Sequence, residues 1–269
     1  MAITTLDGAV AGMQTPKVFI KTGVTMAAAG GMRGYTPWYA AGNPGAATAN
    51  SAGVNGAAVS GNSVAGQIPR TNPGSGNAYL ARLSVNASAT GTMWLIDRLW
   101  NNSGLSVTST SAQAITPAAL PSRDGDGGTN GQQVMAGVEW SAAGGAGTPT
   151  VTLTYTDQDG NTGASATLTG VASPPIGTLE IFTLAAGDTG IRAPTSFIQN
   201  STRTSGTMHL VLFRVLAQIE VTSANIGNAI DFLTGGAIRF YDNTVHQLLW
   251  FPSGTTATNF SGTFIETHG

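Results

Sequence analysis

The sequence predicts an all-β protein, a jelly-roll-like β-sandwich with a long irregular N-terminal arm and one short C-terminal helix. Three observations carry that expectation. Runs of alternating apolar and polar residues recur at strand length, Gly-, Asn- and Asp-rich turns separate them, and 37 of the 269 residues are glycine while only 9% are charged. An ordinary soluble domain is about 25% charged. Many short strands joined by such turns bury their apolar faces as a sandwich or barrel. A chain of this length buries roughly three quarters of the surface that it exposes when unfolded.

The elements follow in order. Thr5–Val10 reads as a capped turn of helix, and Lys17–Thr22 as an edge strand guarded by a lysine at each end. In residues 34–77 Arg70 is the only charge, glycine and alanine recur without period, and Asn43-Pro44-Gly45 and Asn72-Pro73-Gly74 mark turns. So long a loop stays ordered only against a surface. Residues 1–77 are therefore expected to form an arm with its edge strand, residues 34–77 being laid on a neighbouring subunit or on another protein with Gly34–Tyr39 as aromatic anchor. Residues 78–222 then form the sandwich core, and 223–269 a short helix plus strands that complete the same domain.

Within the core, strands are expected at Tyr79–Val85, Met93–Trp100, Leu105–Thr110, Gln133–Trp140, Thr150–Thr156, Ala164–Thr169, Leu179–Leu184 and Thr207–Val221. Met93–Trp100 organises the rest. Its alternation places Trp94, Ile96, Arg98 and Trp100 on one face and Met93, Leu95, Asp97 and Leu99 on the other, and both faces are largely apolar. Such a strand is covered on both sides, so Asp97 and Arg98 require partners. In Thr207–Val221 the same period aligns Val211, Phe213, Val215, Ile219 and Val221 on one face. Asp157-Gln158-Asp159-Gly160-Asn161 is the clearest hairpin turn. Beyond Val221, Ile226, Ile230 and Leu233 recur at helical spacing, with Ser223 or Asn225 as cap and Gly235-Gly236 as stop. Strands resume at Ala237–Tyr241, Val245–Phe251 and Thr263–Glu266.

Candidate chemistry is sparse. Asp157, Asp159 and Asn161 copy the opening of a Ca²⁺ loop, but its closing position is Leu168; from Asp124 the corresponding position is Met135. Both Asp-rich loops therefore read as turns, the second with Arg123 paired to Asp124 or Asp126. Gly61-Asn62-Ser63-Val64-Ala65 lacks the second glycine of a nucleophile elbow. His209 and His246 lie in strand patterns, and like His268 have no placed partner that would make them general bases. No catalytic, cofactor-binding or metal-binding residue is assigned, and no cofactor is expected.

Composition narrows the partners. Eleven Lys+Arg scattered among 13 Asp+Glu give no phosphate-neutralising footprint, so nucleic acid is not expected as a partner. The N-terminal residues lack a signal-peptide pattern, and the longest apolar run, Met208–Val221, is broken by charges and too short to span a bilayer, so a membrane is not expected either. The absence of cysteine excludes disulfides.

Taken together, Tyr79–Leu83, Asp97–Gly104, Pro121–Gly131, Leu184–Arg192, His209–Arg214, Asn225–Asp231 and Leu233–Gly236 resemble a family of virion structural proteins of tailed bacteriophages, a likeness running from about Leu6 to the end. The resemblance implies a non-enzymatic building block of a phage particle, made in the host cytoplasm. The reading that follows first is a capsid decoration or cement protein, a homo-oligomer with a trimer favoured, bound to the major capsid protein or another virion protein. A tail, neck or baseplate component is the alternative within that class. A glycan-binding or receptor-binding adhesin is the alternative outside it, and would present Trp38, Tyr39, Trp140 and Trp250 side by side on the surface.

Overall fold

A computed structural model describes residues 3–269. In chain order the first elements are helix α1 (Leu6–Ala11), β1 (Lys17–Val24), β2 (Arg33–Tyr35), a 3-10 turn (Pro37–Tyr39), β3 (Gly42–Asn43), β4 (Ala57–Ala58), β5 (Ala78–Ala87) and β6 (Gly91–Asn101). Then come β7 (Gln113–Ala114), β8 (Met135–Ala142), β9 (Thr150–Asp157), β10 (Thr162–Thr169), β11 (Thr178–Ile181) and β12 (Ile191–Gln199). The last are β13 (Thr207–Val221), β14 (Asn228–Asp231), β15 (Arg239–Phe240), β16 (His246–Pro252) and β17 (Thr258–His268). The protein is nearly all β, and every strand pairing is antiparallel. Among the described residues no helix is long and apolar enough to cross a membrane.

The central sheet closes on itself. Its order runs β13-β8-β11-β2-β16-β6, and β6 pairs back onto β13, so six strands form a ring with β4 attached outside it. Alternation sends one set of side chains into the ring and the other outward. Inside stand Ile96, Leu179, Ile181, Val211, Phe213 and Leu249. Two glycines make room for them: a Cβ on Gly34 of β2 would lie 2.5 Å from Leu249, and one on Gly137 of β8 2.9 Å from Leu179. Outward-facing residues join two further cores. One faces a sheet of order β14-β5-β17-β1-β3, where Met93, Leu95 and Trp250 meet Leu83, Phe260 and Phe264. The other faces a sheet of order β10-β9-β12-β7, where Trp100, Val138 and Trp140 meet Leu153, Tyr155 and Phe197.

β6 is central, as its two apolar faces require, but its alternation does not run through. Leu212 pairs with Trp100 while Phe213 pairs with Arg98, so a bulge at Leu99 turns both Leu99 and Trp100 into the outer core. A second shift, between Val215 and Ala217, does the same to β13: Val211, Phe213 and Val215 face the ring interior, whereas Ile219 and Val221 join the core against β5 and β17. Bulges of this kind bend a strand so that one strand serves two cores. Trp100 is fully buried and its indole N–H has no partner. Trp100→Phe therefore removes area and no hydrogen bond, and should cost about 1–2 kcal/mol. The urea midpoint checks this: a value equal to wild type would mean that the outer core does not depend on the ring at this position.

Four expectations need correction. Residues 34–77 do not form an arm apart from the body: Tyr35 belongs to β2, Trp38 and Ile68 are buried, β3 pairs with β1 and β4 with β6. Val59 donates to the Leu99 carbonyl (2.8 Å), Gln67 to that of Thr244 (2.9 Å), and Arg70 binds Glu266 (2.9 Å). The surface needed to order this segment is intramolecular. Leu105–Thr110 is not a strand. After a single bridge from Leu105 to Met208, Ser106 and Thr108 turn to local side-chain bonds, which compete with a ladder. Residues 226–233 are not helical, since Asn228–Asp231 pairs with the edge of β5 and the Asp231 carboxylate accepts from the Leu233 and Thr234 N–H groups in a closing turn. Ile226 and Leu233, 60% and 70% exposed, have no core to face. Arg123 does not pair with Asp124 or Asp126, and its partner is described below. One long strand, β12, has no counterpart among the sequence expectations: Pro194 argues against an interior strand, and the fold accommodates it at a register shift between Pro194 and Ser196. The capped turn at Thr5 is as expected, with Thr5 Oγ1 accepting from the Gly8 N–H.

Candidate functional site

The inward-facing residues divide the ring into an apolar part and a polar end. At the apolar mouth Trp94 and Phe251 pack with centroids 4.3 Å apart, and Met135 and Val215 are half-buried beside them. At the other end Arg98 from β6 and Glu139 from β8 form a two-pronged ion pair at 2.7 and 2.8 Å, their side chains 3% and 0% exposed. Gln247 from β16 completes it. Its Oε1 accepts from Arg98 (3.1 Å), and its amide nitrogen donates to Glu139 and to Thr36 Oγ1 (both 2.9 Å). The Tyr39 hydroxyl donates to the second Glu139 oxygen (2.8 Å), and the Arg98 guanidinium lies 5.5 Å from the Trp38 ring centre. Burial alone would raise the Glu139 pKa; Arg98, helped by the Gln247 and Tyr39 hydrogen bonds, outweighs it and holds the carboxyl below its ordinary value. Burial and the adjacent Glu139 charge push the Tyr39 phenol far above its ordinary value. Glu139 thus stays ionised and Tyr39 protonated, and every member of the group is satisfied by another.

Outside the ring the second residue that needed partners finds three. Asp97 accepts from Arg123 Nε (3.1 Å) and the Val245 N–H (2.9 Å), with Arg214 at 3.6 Å. Arg123 also donates to the Val59 and Arg98 carbonyls, stitching the 121–123 loop and the covering segment to β6.

The three histidines lie apart. His209 Nδ1 is 2.7 Å from the Asn102 carbonyl, so it carries the proton, and Nε2 accepts from the Ser141 hydroxyl at 2.5 Å. This is a serine–histidine contact on the covered stretch of β13, His209 being 1% exposed. His246 is buried between the rings of Phe240 and Phe264, at 4.6 and 4.7 Å, and neither of its nitrogens has a partner. His268 lies 3.1 Å from Glu266. The Asp-rich loops are turns. Asp157 takes the Asp159 and Asn161 N–H groups and the Asn161 amide, and these bonds, the Asn161 amide first, hold its carboxyl below its ordinary value. Asp124 takes the N–H groups of Asp126, Gly128, Gly131 and Gln132. Both carboxylates are turned onto backbone amides, and among the described residues no group of three acidic or histidine side chains is placed to hold a metal. Ser63 lies in the covering segment, separated from the two-residue strand β4 by irregular chain and followed by β5 rather than a helix.

Burial, then the nearby arginines 70, 214 and 123, depress the His246 pKa well below its ordinary value. The unfolded chain takes up this proton below about pH 6.5 while the folded chain does not, so stability falls with pH by up to about 1.4 kcal/mol per unit. His209 is depressed in the same direction, by burial. His246→Leu should remove one of the two contributions. Its stability relative to wild type should grow between pH 7.5 and pH 5 by about 2 kcal/mol, read from urea midpoints. Parallel pH curves for the two proteins would contradict that assignment.

Two clefts open on this polar side. One, of about 430 Å³, lies over Arg98 and Tyr39 beneath residues 48–65; the other, of about 360 Å³, lies between Ser122-Arg123 and Arg239–Asn243. The polar group at the barrel mouth has no sequence signature beyond the unexplained charges of Asp97 and Arg98, since their partners come from positions 26 to 149 residues away. Comparison with known proteins yields no relative: no family model, no curated protein and no solved structure matches the chain.

Proposed function

We propose that this chain is a non-enzymatic structural component of a tailed-phage virion, a capsid decoration or cement protein that binds the assembled shell as a homo-oligomer. The observation that carries this reading is where the charges lie. Arg70, Asp97, Arg98, Arg123, Glu139, Glu180, Arg203, Arg214 and Glu266 are buried, a large share of a chain only 9% charged. What remains outside is a hydroxyl- and glycine-rich surface with little net field to hold copies apart. It also carries exposed apolar side chains at opposite sides of one sheet, Val18 and Ile20 on β1 and Ile226 and Leu233 around the edge strand β14. Glu139 and Asp97 are spent on buried arginines, and Asp124 and Asp157 on the N–H groups of their own turns, which supports a structural rather than a catalytic role. The antiparallel β body suits the structural building block of a phage particle that the resemblance implies.

Trp38, Trp140 and Trp250 are buried, so three of the four aromatics that a glycan-binding platform would use do not face solvent. The virion reading and its tail, neck or baseplate variant differ in stoichiometry. Quantitative mass spectrometry of purified particles should find the chain in hundreds of copies; multiples of three or six, in the tens or fewer, would move it to the tail or neck, and its absence from particles would reject the class.

A further inference from the structure

Two arginines, Arg123 and Arg239, line the second cleft, and two more, Arg70 and Arg214, lie against its Tyr241 wall without lining it. The chain has nine arginines beside its two lysines, and four of the nine surround Tyr241. Arg70 donates to the Tyr241 carbonyl (3.1 Å), while Arg214 and Arg239 lie 5.0 and 4.7 Å from the centre of its ring. Arg123, 2% exposed, lines the cleft with Arg239. Arg123 spends Nε and Nη2 on Asp97 and two carbonyls, and its Nη1 is buried without a partner; Arg70 Nη2 and Arg214 Nη2 are in the same condition. Unpaired buried donors on charged groups are costly and scarce in folded proteins, and the one on Arg123, which lines the cleft, points to an acceptor there. Arg239 is exposed and enters no ion pair among the described residues. Against these stand Asp97 and Glu266, already paired, and Asp242 at the rim.

We propose that the cleft between Ser122-Arg123 and Arg239–Asn243 binds an oxyanion, a carboxylate or phosphate group, with Arg239 as its principal contact and Arg123 supplying charge from the floor. Guanidinium groups match such oxygens in geometry as well as charge, and Ser122 and Asn77 offer neutral polar groups in the same wall. A cation would meet the excess of arginines, and an uncharged ligand would leave their charge unbalanced. The site does not depend on the assembly reading.

Isothermal calorimetry of the full chain, with inorganic phosphate and acetate as probes and chloride at equal ionic strength as the reference, tests it. Wild type should bind at least one probe in preference to chloride. Arg239→Gln, on an exposed side chain whose one recorded contact is with the Tyr241 ring, should weaken binding about tenfold or more, and Asp242→Asn should tighten it. Arg82→Gln, which removes the same charge from an exposed position on β5, should leave it unchanged. Competition by acetate identifies a carboxylate ligand, and binding of phosphate alone a phosphate ligand. No preference over chloride, or equal weakening by Arg82→Gln and Arg239→Gln, overturns the proposal.

Discussion

Deleting residues 42–76 should unfold the protein, not merely detach it from its neighbours. The excised segment supplies Ile68 to the core around Phe19 and Leu83, and the Val59 and Gln67 bonds to the barrel. It also holds Arg70, the buried partner of Glu266. Removing one member of a buried pair leaves an uncompensated charge, a cost of about 3–5 kcal/mol, and a cavity at Ile68 adds about 2–5 kcal/mol. Together these reach the whole stability of a typical domain, about 5–15 kcal/mol. Circular dichroism of the deletion variant at 25 °C should show loss of the native strand signal and of any cooperative transition. A native spectrum with an unchanged melting temperature would show that the segment is an appendage after all.

The second large effect belongs to the barrel mouth. Arg98→Met should destabilise the fold by about 3–5 kcal/mol, because Glu139, with no exposure, loses both prongs of its cation. The pH dependence should also change sign. In wild type Arg98 holds Glu139 below its ordinary pKa, so this pair's stabilisation is present at neutral pH and fades as acid protonates the carboxylate. In the variant Glu139 lacks that cation, burial raises its pKa, and protonation should relieve the strain on lowering the pH from 7 to 5. The double variant Arg98→Met/Glu139→Leu should recover much of the loss, since an apolar pair of similar volume needs no partner. Unfolding midpoints of the three variants at both pH values check this. Equal losses in the single and double variants would mean that packing of the Arg98 stem, not its charge, holds the mouth together.

These expectations show which parts of the architecture were legible in the sequence. The demand of Asp97 and Arg98 for partners could be read directly, because a strand apolar on both faces admits no water. So could the Asp157 hairpin and the Thr5 cap, whose signals are local. The identities of the partners could not: Glu139, Gln247, Arg123 and Arg214 reach β6 only through closure of the ring, a long-range event with no local trace. Alternation failed where bulges at Leu99 and between Val215 and Ala217 hand one strand from the ring interior to an outer core. Helical spacing failed at Ile226, Ile230 and Leu233 because the free edge of β5 offers Asn228–Asp231 a ladder that an isolated helix of that length could not match in stability. The low charge of residues 34–77 was legible as a need for a covering surface. That the surface is the chain's own was not legible: the single charge there, Arg70, finds its partner in Glu266 of β17, 196 residues away.

The assembly reading rests on a neutral exterior whose copies adhere to one another, and the mass of the purified chain in solution tests that most directly. Sedimentation velocity at micromolar concentration and moderate salt should give a single species at three times the 27.2 kDa chain mass, with little change as salt is raised, because apolar and hydroxyl contacts are not screened. A species of 27.2 kDa that persists across the accessible concentration range would contradict it.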